Sequence, residues 1–292
     1  MRVHLIDGTY ELFRHFYAVP PHADASGRER GAVAGVVQSL IGMLEGGATH
    51  LGVATDHVVE SFRNDLYAGY KTSEGIEPRL REQFEPLEVA ITALGVVVWP
   101  MIDMEADDAL AAAAVAAAED KRVKQVILCS PDKDLAQCVR GNRIVQLDRR
   151  SGKVWNAKGV KERFGVPPEA IPDYLALVGD SADGFPGLPG WGAKSASTLL
   201  GRYGRLESIP KSADAWGVPV RGAEKLASVL RDGWDDALLF RRLATLRTDK
   251  PRVKVDRLAY RGPKPAFRAL AESWRRPKLW ERARAIREGR SH

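Results

Sequence analysis

Cysteine is nearly absent from this 292-residue chain: Cys129 and Cys138 are the only two, and they do not form a CxxC pair. A disulfide framework and a thiolate zinc centre are thereby excluded. The six histidines are scattered without an HxxxH pair, so the helical imidazole metal motif is missing too. Long hydrophobic runs are also missing. The longest apolar stretch, Leu110 to Ala118, falls well short of the roughly 20 residues that cross a bilayer. Asp7 interrupts the first apolar run almost at once, so no signal peptide is expected. No internal repeat is visible. These absences leave a soluble, reduced, cytoplasmic enzyme without membrane association as the expectation, and its length suits two domains of about 150 residues.

Charge is present, and unevenly placed. The net +6 resides in the last stretch: Tyr260 to His292 holds ten Lys or Arg against three Asp or Glu, leaving the rest of the chain at −1. A basic segment on a near-neutral body fits a polyanionic partner, although a solvated helical tail has the same composition.

The first half alternates β-rich runs with helical patterns, which predicts a mostly parallel α/β sheet. Strands are expected at Val3–Ile6, Leu51–Thr55, Val96–Trp99, Gln125–Cys129 and Arg143–Leu147, and helices at Val33–Leu44, Arg79–Leu94 and Ala106–Glu119. A long excursion, residues 57–95, separates the second and third strands and carries Arg63, Tyr67, Tyr70 and Lys71. Excursions of this length tend to be functional lids or arches. After Arg149–Lys153, read as a turn, the β pattern ends and the chain turns helical, with helices at Lys158–Phe164, Glu169–Val178 and Ala193–Tyr203. The expected division is an α/β core, 1–157, and a helical region, 158–292, with a glycine-rich hairpin at 184–197 and the basic tail.

Carboxylates follow the strands. Asp7 comes after the first, Asp56 after the second, Glu105, Asp107 and Asp108 after the third, and Asp132 and Asp134 after the fourth. In an open parallel sheet the carboxyl ends of the strands face one crevice. Asp180 and Asp183 add an i, i+3 pair that shares a face if helical. Singly, each has an ordinary structural explanation: a turn at Asp7-Gly8, a helix N-terminus at Asp107 and Asp108, a cap at Asp132. Acids after four successive strands are not explained that way. So many carboxylates at close range need compensating cations. Oxygen-ligated Mg²⁺ or Mn²⁺ supplies them, and two such ions suit phosphodiester hydrolysis.

Two other motifs are misleading. Gly179-Asp180-Ser181-Ala182-Asp183 matches a phosphatase metal element, but Leu5 stands where the phosphatase nucleophile, an Asp, is required. Gly187 to Ser195 is P-loop-like, but Ala193 separates the last glycine from Lys194 and no strand precedes it. A helix–hairpin–helix turn fits better, with Gly190, Gly192, Lys194 and Ser195 presenting N–H groups and charge to a DNA phosphate.

Taken together, Leu5-Ile6-Asp7-Gly8, Ser61-Phe62-Arg63, Ala68-Gly69-Tyr70-Lys71, Glu105-Ala106-Asp107-Asp108, Asp132-Lys133-Asp134-Leu135, Gly179-Asp180…Asp183, Leu188 to Ala196 and Leu246-Arg247-Thr248-Asp249 resemble the 5′-nuclease or flap endonuclease family, as in the N-terminal 5′-3′ exonuclease domain of bacterial DNA polymerase I. The resemblance implies a PIN-like parallel-sheet core with a helical arch, then a helical region with a helix–hairpin–helix (helix–three-turn–helix) element. It also implies a stand-alone, monomeric 5′-3′ exonuclease or flap endonuclease for DNA with a 5′ flap or 5′ end, including an RNA/DNA hybrid. Such an enzyme would be nucleoid-associated and act in replication and repair.

By this resemblance Asp7, Asp56, Glu105, Asp107, Asp108, Asp132, Asp134, Asp180 and Asp183 are the metal-binding acids. Of these, Asp7, Asp56, Glu105 and Asp107 lie nearer one ion, and Asp134, Asp180 and Asp183 surround the other. Arg63 and Lys71 would neutralise the scissile phosphate, and Arg14, Tyr17 and Tyr70 would contact DNA. The hairpin would hold K⁺. Thr55 stands where Phe is common, a packing change, and Ala182 and Gly184 replace polar residues beside the second ion. Two rivals share these residues: an RNase acting on primer RNA, and a non-catalytic junction-binding protein of the same fold.

Overall fold

The computed structural model describes residues 1–251 and 253–289. Its elements run β1 (Arg2–Asp7), α1 (Gly8–Ala18), α2 (Gly31–Glu45), β2 (His50–Asp56), α3 (Phe62–Leu66), α4 (Pro78–Arg81), α5 (Phe84–Leu94), β3 (Val97–Met101), α6 (Ala106–Glu119) and β4 (Gln125–Cys129). Then follow β5 (Ile144–Asp148), β6 (Lys153–Trp155), α7 (Ala157–Phe164), α8 (Ile171–Val178), α9 (Ala193–Tyr203), α10 (Ala223–Asp232), α11 (Trp234–Ala244), α12 (Pro265–Ser273) and α13 (Lys278–Gly289). They pack into two compact units, one of residues 1–59, 73–130 and 248 onward, the other of residues 60–72 and 131–247.

In the first unit β1 pairs in parallel with β2 on one side and β4 on the other, and β2 pairs in parallel with β3. The order β3-β2-β1-β4 reverses at β1, and in open α/β sheets ligands bind at such a switch point, at the carboxyl ends of the strands. Val3, Leu5, Ile6, Leu51, Val53, Val126 and Leu128 are buried, because a parallel sheet covered by helices hides both faces. The alanines of α6 let it lie close on the sheet; Ala109 and Ala111 to Ala114 are buried against β1, β2, β3 and β4.

Helix α1 is not announced by the hydrophobic pattern of the sequence. Its inward face is Gly8, Glu11, Leu12 and His15, a helical spacing whose two polar members hide the apolar period. Glu11 is fully buried and bound by Arg14 at 2.5 Å. Gly8 permits the start of α1 against β2: a Cβ there would lie 2.7 Å from Val53 and Thr55 side-chain carbons. The single helix expected at Arg79–Leu94 is broken between α4 and α5. Pro86 lacks the N–H that a continuous helix needs there, and proline is tolerated only in the first turn of α5. Helices α12 and α13 pack on α5 and α2, and Arg282 binds Glu45 through two bonds of 2.8 and 2.7 Å. Residues 260–289 of the basic tail therefore pack with the α/β unit, and the last three lie outside the described residues.

The second unit is built on α8, packed against α9 and α11, with Leu175, Leu177, Leu199, Leu200, Trp216, Phe240 and Leu243 in its core. Here β5 forms an antiparallel hairpin with β6, so β structure continues one strand beyond the turn at 149–152. Between the two compact units the chain passes after Ser130. Segment 60–72 joins the second unit because Arg63 and Lys71 bond to it, as described below.

Candidate metal centre and nucleic-acid interface

In the second unit the chain brings Asp134, Asp180 and Asp183 together, with one ligand oxygen of each within 4.8 Å of the others. Asp134 opens a 3-10 turn, Asp134–Cys138, and its N–H donates to Asp132 Oδ1 at 2.9 Å. The Gln146 side chain in turn donates to the Asp132 carbonyl. Asp180 and Asp183 are not helical. They flank a tight turn after α8, closed by Asp180 N–H to Phe185 O at 2.9 Å and Phe185 N–H to Asp180 O at 3.1 Å. Gly184 makes that turn possible. Its φ is +86°, and a Cβ would come within 2.3 Å of the Gly69 carbonyl, so the glycine that departs from the family pattern is sterically demanded.

The centre is short of positive charge. Asp134 is buried and its Oδ1 accepts no hydrogen bond. Burial first, then the charges of Asp132, Asp183 and Asp180, push its carboxyl well above the usual range, and Lys71 only partly offsets them. Lys71 Nζ donates to Asp183 Oδ1 at 2.8 Å and its main-chain N–H donates to Asp183 O at 2.9 Å. Lys133 Nζ lies 2.5 Å from Asp180 Oδ2. Sequence reasoning missed Lys133; its signal was its position between Asp132 and Asp134.

The acids of the first unit sit at strand and helix ends. Asp7 caps α1, with Oδ1 accepting from Tyr10 N–H at 2.8 Å and Oδ2 from the Ser130 hydroxyl at 3.0 Å. Asp56 Oδ1 accepts from Ala106 N–H at 2.8 Å, tying the end of β2 to the start of α6. Asp107 is half-buried in the first turn of α6. Glu105 and Asp108 form a reciprocal capping box in which Asp108 Oδ2 accepts from Glu105 N–H at 3.0 Å. Asp108 is fully buried, and the oxygen that accepts from Glu105 N–H closes the helix cap. Among the described residues the acids of this unit do not close to the spacing of the second-unit triad.

Thr55 does more than repack. Its hydroxyl donates to Glu88 Oε1 at 2.8 Å, and His57 Nδ1 lies 2.8 Å from Glu88 Oε2, so Glu88 grips β2 on both sides of Asp56. Both Thr55 and Glu88 are buried. Glu88→Ala leaves the Thr55 hydroxyl without this acceptor and should cost about 1–3 kcal/mol, read as a lowered melting temperature. An unchanged melting temperature would show that water replaces the carboxylate.

Two expected DNA or phosphate contacts are corrected. Arg63 is 1 % exposed; its Nε donates to Leu243 O at 2.7 Å and its Nη2 to Thr245 O at 3.3 Å, so it closes the carboxyl end of α11 instead of meeting a phosphate. Tyr70 is 3 % exposed and belongs to the core, where no base can stack on it. Arg14 is held by Glu11. Tyr17 is open, 71 % exposed and edge-on to Phe16 at 5.2 Å. In the hairpin Gly190, Gly192 and Lys194 are exposed, and Ser195 Oγ reaches back to Gly192 N–H at 3.1 Å, so Ser195 stabilises the turn.

Residues 2–165 match the family model described as 5′-3′ exonuclease, N-terminal resolvase-like domain, and residues 166–266 match 5′-3′ exonuclease, C-terminal SAM fold. The chain is 38% identical to DNA polymerase I of Pseudomonas aeruginosa over 87% of this chain and 28% of that one, so it spans little more than a quarter of that relative. It is 32% identical to a 5′-3′ exonuclease of Aquifex aeolicus over 72% of each. A solved structure of a phage T5 D15 flap endonuclease variant, in complex with DNA and metal ions, is similar with a TM-score of 0.63 and 20% identity, covering 99% of this chain and 100% of that one. That likeness shows the same fold.

Proposed function

This chain belongs to the 5′-3′ exonuclease family, and from that premise we propose that it hydrolyses DNA phosphodiesters at a 5′ end or 5′ flap with Mg²⁺ or Mn²⁺ as cofactor. Two observations carry the metal reading: the buried Asp134 Oδ1 accepts no hydrogen bond, and one oxygen each of Asp134, Asp180 and Asp183 lie within 4.8 Å of one another. An all-oxygen, acid-rich set of this kind fits a hard divalent cation. Asp134, Asp180 and Asp183, with Asp132 beside them, would hold one ion; Asp7, Asp56, Glu105 and Asp107 would hold another in the first unit. When bound, such ions activate water and stabilise charge on phosphate oxygens.

The protein's own groups do the rest. Lys71, tethered by main chain and side chain to Asp183, keeps an ammonium beside the centre, where it stabilises negative charge on the scissile phosphate. The exposed hairpin turn with Lys194 holds duplex phosphates, and Tyr17 offers an open ring for a base near the cut.

The test is cleavage of a 5′-flap duplex labelled separately at the flap and the 3′ end, in Mg²⁺, Mn²⁺ or EDTA, with DNA and RNA flaps compared. Metal-dependent release of an intact DNA flap supports the reading, and release of mononucleotides places the weight on exonuclease action. Tight flap binding without cleavage in either metal makes the protein a junction binder. Preference for the RNA flap makes it a primer RNase.

A further inference from the structure

We propose that Lys133 is a built-in counter-cation that competes with the divalent ion for Asp180 and so sets the metal affinity of the Asp134, Asp180 and Asp183 centre. The inference rests on the metal reading of that centre. Both oxygens of Asp180 are engaged: Oδ1 accepts from Ala182 N–H at 3.0 Å, and Oδ2 takes the Lys133 ammonium at 2.5 Å. The oxygen free of main-chain hydrogen bonds is the one that Lys133 covers. An ammonium in that position occupies a ligand lone pair and repels an arriving cation.

The two lysines of the centre are not equivalent. Lys71 is fixed by its own N–H to Asp183 O and packs over the Tyr70 ring at 5.6 Å. Lys133 has a side chain 39 % exposed and a long flexible stem, so it can leave the carboxylate without disturbing the core. With the ion absent, Lys133 offsets the repulsion among three acids that two buried carboxylates would otherwise make worse. With the ion present, that service is redundant and Lys133 moves toward solvent.

The experiment is calorimetric titration of Mn²⁺, without DNA, into the wild-type protein, Lys133→Gln, Lys133→Met, Lys133→Arg and Asp180→Asn, with melting curves in EDTA and in saturating Mn²⁺. The binding step lost in Asp180→Asn identifies this centre. Lys133→Gln and Lys133→Met should bind that step more tightly, by about tenfold or more, the scale on which groups touching a metal ligand act. Lys133→Arg should stay near wild type. In EDTA both neutral variants should melt below wild type, and in Mn²⁺ that gap should close or reverse. Unchanged or weaker binding by both neutral variants overturns the competition while leaving the metal centre intact. Absence of any Asp180-dependent step in the wild type removes the metal centre, and the inference with it.

Discussion

Asp134→Asn should abolish cleavage and at the same time stabilise the metal-free protein. On the proposed metal role the loss of activity is the larger effect: at least about a thousandfold, because a carboxylate that would hold the ion is replaced by a neutral amide. The gain in stability follows from the same burial. Asp134 is enclosed beside Asp132, Asp180 and Asp183, with an oxygen that accepts no hydrogen bond. An amide of the same shape removes a like charge and can donate to the neighbouring carboxylates. Exchanging a poorly compensated buried charge for a neutral isostere gains about 1–2 kcal/mol, roughly 2–6 °C for a chain of this size.

The folded-state pKa of Asp134 is raised, so the folded protein favours the protonated acid. That contribution is complete below the ordinary carboxylate pKa and is lost as pH rises through the folded value. In EDTA the melting-temperature advantage of Asp134→Asn should therefore widen from acid toward neutral pH. A variant that melts with wild type at every pH would mean that Lys71 and Lys133 already compensate Asp134. Residual activity within tenfold of wild type would remove Asp134 from the metal centre.

This trade between stability and activity bears on what the sequence disclosed. The strands β1, β2 and β4 were legible because parallel strands buried on both faces read as unbroken apolar runs. Asp7 and Asp56 were legible as carboxylates at the ends of β1 and β2. Where side chains pair across the fold, sequence was silent. Glu11 and His15 occupy core-facing positions of α1 and erased its apolar period. Pro86 divided a helix whose hydrophobic spacing runs through it. Asp108, identical in sequence terms to Asp107, turns inward to close a capping box. Asp180 and Asp183 converge through a turn closed on Phe185, not through helical spacing. Lys133 stood inside a motif whose acids drew the attention.

Arg63 is the sharpest of these cases, and its replacement should have the largest effect on stability. A motif of Ser-Phe-Arg beside an arch suggested a phosphate ligand; the structure makes Arg63 one of the largest fully buried side chains. Its guanidinium donates to Leu243 O and Thr245 O at the carboxyl end of α11 and lies over the Phe62 ring at 4.7 Å. Positive charge is favoured at a helix C-terminus, and these bonds pin segment 60–72, with Lys71, onto the unit that holds Asp183. Arg63→Met keeps the apolar stem but strips a donor from the buried Leu243 carbonyl and another from Thr245 O, so it should cost about 2–4 kcal/mol, roughly 5–15 °C in melting temperature. Arg63→Lys should fare little better, because an ammonium lacks the planar fork that reaches both carbonyls. The distinction from a phosphate contact is direct. A residue that touches substrate would leave the melting curve unchanged and depress kcat/KM, whereas Arg63→Met should lower the melting temperature first and lose activity only as Lys71 loses its anchor.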